Sequence, residues 1–203
     1  MPTETFFKLP QDKRDRIFEA AVEEFSHYRF SEASINRIVK AAQIPRGSFY
    51  QYFQGKEDIY QYILGYVSSE KFKVFSKFWS SNQNSDFFEI MLEALPTIFD
   101  WADNYLAFYP IGTLMAADGS NFIKDILRLL DDSQANLLKM FQLEQQKKHF
   151  REDISPEVLM SIYLNMSHDL LQEYYLTGTR ESTIEKFRAM CDILANGVVH
   201  REV

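Results

Sequence analysis

Apolar residues recur at steps of three and four in segment after segment of this chain, the period that lines one side of an α-helix. Residues 1–10 read as a loose arm, with Pro10 at its end. A helix opens at Gln11 or Asp12 and runs to about His27, with Ile17, Ala21 and Phe25 on one side and Phe18 and Val22 beside them. Behind a cap at Ser34, the residues Ile35, Ile38, Val39 and Ala42 line a second, shorter helix. Pro45 lacks an amide hydrogen and disfavours helical backbone at Ile44, so that helix stops near Ala42 or Gln43, and Ile44 is the apolar residue of the turn. Pro45 also suits the opening of a third helix, where Phe49 and Phe53 face a core. Arg46, Gly47, Ser48, Tyr50, Gln51 and Tyr52 are left on or near its other side, and Gly55 ends it.

The remaining pattern is helical too. A long helix starts at Lys56, with acidic Glu57 and Asp58 in its first turn and Ile59, Ile63 and Val67 continuing the apolar side toward Phe72, Phe75, Phe78 and Trp79. After the polar break 80–86, a helix carries Phe88, Met91, Leu92, Leu95 and Phe99, with Pro96 expected to kink or divide it. Pro110 and Gly112 argue against one straight helix over 104–117, and 118–120 reads as a turn. Helical period returns over 121–147 and again from Pro156, where Ile162, Tyr163, Met166, Leu170 and Tyr174 form a stripe. The last helix, from about Ser182, shows Ile184, Phe187, Met190, Cys191, Leu194 and Val198. The fold class is therefore all-α: a three-helix N-terminal domain with a helix-turn-helix at 1–56, and a larger helical domain at 57–203.

Charge changes the picture at one place. The chain carries a formal net charge of −7, yet residues 33–56 hold Arg37, Lys40, Arg46 and Lys56 with no Asp or Glu. Residues 1–56 have nine Lys/Arg against seven Asp/Glu, and residues 57–203 have thirteen against twenty-two. A phosphate-binding head on an acidic body is the reading this split supports. Two short helices at a sharp angle, the second presenting Arg, Ser, Gln and Tyr, have the geometry that enters a major groove. Ser48, Tyr50 and Lys56 can donate to phosphate oxygens, Arg46 can reach guanine and Gln51 adenine, and Gly47 lets backbone approach the duplex. The same pair of helices also occurs as an ordinary packed corner that binds nothing.

On these residues the chain resembles the tetracycline-repressor (TetR) family of bacterial transcriptional regulators. The likeness is carried by Ser34, Ile38, Ala41-Ala42, the run from Gly47 to Phe53, and Lys56 to Ile59, and it spans about residues 12–64. Gln43 stands where the family usually has Gly at the turn. The resemblance implies that Asn36 reaches a base edge or backbone, that Arg46, Gly47, Ser48 and Tyr52 contact operator DNA, and that Tyr50 and Lys56 contact phosphate. It also implies that the last two helices dimerise and that the middle helices enclose an effector, making the chain a ligand-responsive regulator, most simply a repressor. Few charges lie inside the middle segments, so a small apolar or aromatic effector fits better than a highly charged one. Candidate pocket residues are Trp79, Met91, Phe99, Trp101, Tyr105, Phe108, Tyr109, Met115, Phe141, Tyr163 and Met166. Candidate seam residues are Ile162, Met166, Leu170, Tyr174, Phe187, Met190, Leu194 and Val198. Recruitment of a protein partner by the body, and activation in place of repression, are the alternatives.

Composition closes off other classes. The 203 residues are 46% hydrophobic, with eighteen Phe and eleven Tyr, enough for a packed core. Cys191 is the only cysteine, which excludes an intrachain disulfide and suits a reducing cytoplasm. Nothing resembles a signal peptide or an apolar run long enough to span a membrane. His27, His149, His168 and His200 are dispersed, with no metal-binding spacing, phosphate loop or nucleophile motif, so no enzyme, metal or cofactor is expected. The expected partners are double-stranded operator DNA, a second copy of the chain and a small-molecule effector.

Overall fold

The structure, a computed structural model, describes residues 1–81 and 85–198; the side chains of 72, 74–81, 129–134, 136 and 198 lie outside the described set. Every regular element among the described residues is helical. In order these are α1 (Glu4–Phe7), α2 (Gln11–His27), α3 (Ile35–Ala41), α4 (Arg46–Tyr52), α5 (Lys56–Ser81) and α6 (Phe87–Asn104). A 3₁₀ turn (Leu106–Phe108) then leads into α7 (Tyr109–Ala116), α8 (Asn121–Gln146), α9 (Pro156–Thr177) and α10 (Arg180–Val198). No helix among the described residues is long and apolar enough to cross a membrane.

The chain forms two compact units, residues 1–72 with 105–127, and residues 73–104 with 128–203. Compactness therefore divides the chain elsewhere than the functional division expected at 56 and 57. In the first unit, Ile17, Ala21 and Phe25 of α2 meet Ile38 of α3, Phe49 of α4 and Phe53. Ile59, Tyr60 and Ile63 of α5 complete the same core, so the small head leans on the helix that follows it. Ile111 of α7 and Ile123 of α8 are buried there as well, which the sequence pattern did not reveal.

The N-terminal arm is not loose. Phe6 on α1 is 1% exposed and packs on Phe53 and Tyr62, with ring centroids 4.9 and 5.4 Å away. The Thr3 N–H donates to the Tyr52 carbonyl at 2.9 Å and the Thr3 hydroxyl to the Gln51 carbonyl at 2.7 Å. A helix leaves its last carbonyls without partners, and here the preceding segment supplies donors to the end of α4.

In the second unit, Phe87, Phe88, Met91 and Phe99 of α6 pack with Phe141 of α8, Phe150, Tyr163 of α9 and Phe187, Met190 and Cys191 of α10. Helix α6 runs on through Pro96 as one element. The start of α10 is fastened to it: Arg180 donates to the Pro96 carbonyl at 2.9 Å and pairs with Asp100 at 2.7 Å and Asp103 at 3.3 Å. Gly178, at φ 67, makes the left-handed stop between α9 and α10, where a side chain would be strained.

Candidate nucleic-acid interface

The turn between α3 and α4 sets everything else at this site. Gln43 has φ 55, the left-handed conformation at which the family pattern has Gly. The Gln43 N–H donates to the Lys40 carbonyl at 3.3 Å and the Ile44 N–H to the Val39 carbonyl at 3.0 Å. This pair of bonds is a Schellman motif, and Ile44 and Val39 are both buried, as its accompanying apolar contact requires. Gln43 thus keeps the geometry at a backbone cost that Gly would avoid. Pro45 then leads directly into α4.

The start of α3 is capped from outside. Ser34 takes the extended N-cap backbone, but its side chain makes no capping bond, contrary to expectation. The Ser34 N–H instead donates to the Glu24 carboxylate at 2.7 Å. Glu24 is buried in α2 and also receives Arg37 from both Nε and Nη2, at 2.6–2.9 Å. Arg37 lies over the Tyr28 ring, 3.9 Å from its centroid. One of the four basic residues of the acid-free stretch is therefore already occupied in joining α2 to α3.

On the outer side, Asn36, Arg46, Gly47, Tyr50 and Gln51 are exposed and Ser48 is half-buried. Arg46 donates from Nη1 to Asn36 Oδ1 at 2.8 Å and from Nη2 to the Tyr50 hydroxyl at 3.4 Å. A Cβ added at Gly47 would meet nothing within 4 Å, so packing within the chain does not demand Gly here. Close approach of another molecule is a physical reason that remains.

Two residues implied as DNA contacts are placed otherwise. Tyr52 is only 4% exposed, with its ring 6.3 Å from that of Phe6 beneath α1, so its ring is core. Lys56 turns inward: Nζ donates to the carbonyls of Phe30 at 2.7 Å, Ala33 at 3.2 Å and Ser31 at 3.3 Å, and lies 4.7 Å from the Phe30 ring centroid. Asp118, in the turn before α8 and 5% exposed, holds the same loop by accepting the Ser31 N–H at 2.8 Å, and it also takes the Ser120 N–H at 2.8 Å. Burial opposes its ionisation, but the backbone and hydroxyl donors of Ser31 and Ser120 prevail and hold its carboxyl at about 2. A cation and an anion from the two chain segments of the first unit thus grip the loop that enters α3.

Residues 17–63 match the family described as bacterial regulatory proteins, tetR family. The chain carries that match from α2 to the start of α5, the helix-turn-helix included. Over 172 residues, 84% of this chain and 85% of the other, it is 26% identical to the uncharacterized HTH-type transcriptional regulator YdgC of Bacillus subtilis (strain 168). Its fold is similar to that of a TetR family transcriptional regulator from Chloroflexus aurantiacus J-10-FL, with TM-score 0.71, 22% identity and coverage of 99% of this chain and 100% of that one. It is similar also to the fatty acid degradation regulator FadR from Bacillus halodurans, with TM-score 0.70, 18% identity and coverage of 96% and 100%. The matched residues include every exposed residue named on α3 and α4, so the likeness to regulatory proteins lies on the helix-turn-helix itself. Among the described residues, no group of three or more His, Cys, Asp or Glu could hold a metal ion.

The candidate pocket residues fall in both units. Tyr105, Phe108, Tyr109 and Met115 are half-buried in the first. Met91, Phe99, Phe141 and Tyr163 are buried in the second, Trp101 is half-buried there and Met166 is exposed, while the Trp79 side chain lies outside the described residues. The seam candidates also separate. Ile162 and Met166 are exposed and Leu170 is half-buried, but Tyr174, Phe187, Met190 and Leu194 are covered within their own unit, and the Val198 side chain lies outside the described residues. The large apolar side chains left open on α9 and α10 are instead Val158 (53% exposed), Ile162, Met166 and Leu176 (75% exposed), with Ile193 (64% exposed). Ile193 was legible only as the non-stripe residue of α10, since its neighbours Met190, Cys191 and Leu194 fill the core side.

Proposed function

We propose that this protein is a cytoplasmic, ligand-responsive repressor that binds a palindromic operator as a homodimer and is released by a small apolar or aromatic effector. The observation that carries the DNA-binding part is the exposed, carboxylate-free face made by Asn36 of α3 with Arg46, Gly47, Tyr50 and Gln51 of α4. In an acidic chain this face is the place where a polyanion is attracted and not repelled. Arg46 and Gln51 read base edges, and Tyr50 and Ser48 position the backbone.

The dimer part rests on two arguments. One recognition helix covers too few base pairs for useful specificity, and two heads about 34–36 Å apart, or a multiple of that, read a palindrome. The open row Val158, Ile162 and Met166 repeats at i, i+4, i+8 along α9, which suits burial against a second copy. The effector part rests on the aromatic side chains of the body and on the family resemblance. Its mechanism is a population shift: effector favours a dimer whose heads are wrongly spaced for successive grooves, and operator affinity falls.

The test is a gel shift with DNA upstream of the chain's own gene, followed by operator selection and a screen of apolar and aromatic compounds for release. Retention of a specific duplex by a dimer, and its release by one compound class, is the expected outcome. A chain that holds no duplex, or a compound that binds while leaving operator affinity untouched, contradicts the corresponding part.

A further inference from the structure

Resting on the DNA-binding reading, we infer that Asn36 serves the interface as a positioning residue: it aims the Arg46 guanidinium at a guanine and does not itself read a base. Arg46 is the first residue of α4, and Asn36 projects from α3, on the other arm of the helix-turn-helix. The 2.8 Å bond from Arg46 Nη1 to Asn36 Oδ1 spans the turn between them. On its other side the guanidinium is held by Tyr50, one turn along α4, through the 3.4 Å bond from Nη2 and with Cζ 5.9 Å from the ring centroid. The long, flexible side chain is thus fixed from both arms of the motif before any ligand arrives. Fixing it beforehand removes an ordering cost that binding would otherwise carry.

The chemistry of the two partners separates this arrangement from four other arginine pairs, while Arg14, which donates to Gln11 Oε1 and the Phe7 carbonyl, shares its neutral kind. Arg16, Arg37, Arg151 and Arg180 each meet a carboxylate, at Asp12, Glu24, Asp153 and Asp100 respectively. The partners of Arg46 are a neutral amide oxygen and a neutral phenol. Neutral acceptors orient a guanidinium without cancelling its charge. Its remaining N–H groups stay available in the planar fork that matches guanine O6 and N7 in the major groove. The Asn36 amide oxygen, the atom that would accept from a base amino group, is already engaged by Arg46. A carboxylate at 36 would hold the same geometry while removing the charge.

The experiment selects duplexes from a randomised library with the purified full-length protein, then titrates the selected duplex and its single-base-pair variants by fluorescence anisotropy. The proteins are wild type, Asn36→Ala, Asn36→Asp, Arg46→Ala and the double variant Asn36→Ala/Arg46→Ala, with thermal melts confirming that each is folded. Arg46→Ala is expected to abolish the preference at one G·C pair, with a loss of about 10-fold or more on the best duplex. Asn36→Ala is expected to weaken preference at that same pair, by about 3- to 10-fold, and to add little in the double variant. Asn36→Asp is expected to lose more than Asn36→Ala and to flatten the salt dependence. Loss of preference at a different base pair, or additive effects in the double variant, would assign Asn36 its own base contact and overturn the inference. A uniform loss across all duplexes from Arg46→Ala would make Arg46 a phosphate contact and overturn it as well. If the wild type holds no duplex at all, the DNA-binding reading itself fails, a result distinct from either of these.

Discussion

Lys56 and Asp118 show how a charged side chain near a DNA-binding face can work for the protein and not for the nucleic acid. Lys56 meets three loop carbonyls and Asp118 two backbone N–H groups, so each satisfies groups that would otherwise be stranded at the entry to α3. Replacing Lys56 by Ala is expected to lower folding stability by about 2 kcal/mol in a urea titration while leaving the salt slope of DNA binding unchanged. A slope reduced by about one would restore the phosphate role implied by the family pattern. For Asp118 the folded carboxyl is depressed to about 2, so its contribution is complete above the ordinary carboxylate range near 4 and is lost as pH falls through 2. The wild type should lose roughly 2 kcal/mol from this group over that window, and Asp118→Asn should lack that portion of the acid limb. Equal acid limbs in the two proteins would show that the loop is held by other means. Burial, with Asp86 nearby, pushes the Cys191 thiol up to about 12. Native protein should therefore resist alkylation that the unfolded chain accepts; rapid labelling of the folded chain would show Cys191 to be accessible.

At the scale of elements, the helix-turn-helix was the most legible part of the molecule, because its signals are local. Pro45 forbids continuation, Ile44 demands burial, and Phe49 and Phe53 fix which side of α4 faces inward. Tyr52 escaped that reading, because the element that buries it is the short α1, whose contacts come from Thr3 and Phe6 and carry no periodic signature. The inward bonds of Lys56 were likewise not legible, since its partners are carbonyls of a distant loop and have no side-chain pattern. Pro96 did not divide α6, because the side chains of Phe88, Met91, Leu95 and Phe99 hold both halves in one core. Gln43 gives the element-level prediction. Gln43→Gly relieves the left-handed strain at φ 55 and should raise stability by about 0.5–1 kcal/mol, offset in part by the greater freedom of Gly in the unfolded chain. A destabilised Gln43→Gly protein would mean that the Gln side chain makes a compensating contact.

For the whole molecule, long-range packing is what the sequence could not disclose. Residues 105–127 join the first compact unit through Ile111 and Ile123, and half of the stripe residues named for a dimer seam are the second unit's own core. A helical stripe records which side is buried, not what buries it. Taking the open row on α9 and Ile193 as the seam, Ile162→Asp or Ile193→Asp should convert a dimer to monomers in sedimentation, whereas a change that leaves the oligomer intact would place the seam elsewhere. The central claim is that the exposed, carboxylate-free side of α4 reads duplex DNA. Its most direct test is the ratio of affinities for a selected duplex and a scrambled one, measured with the full chain at about 0.15 M salt. A ratio of about 1,000 or more, collapsing in Arg46→Ala, is the predicted result. Equal affinity for both duplexes, or a ratio that Arg46→Ala leaves unchanged, would contradict the account.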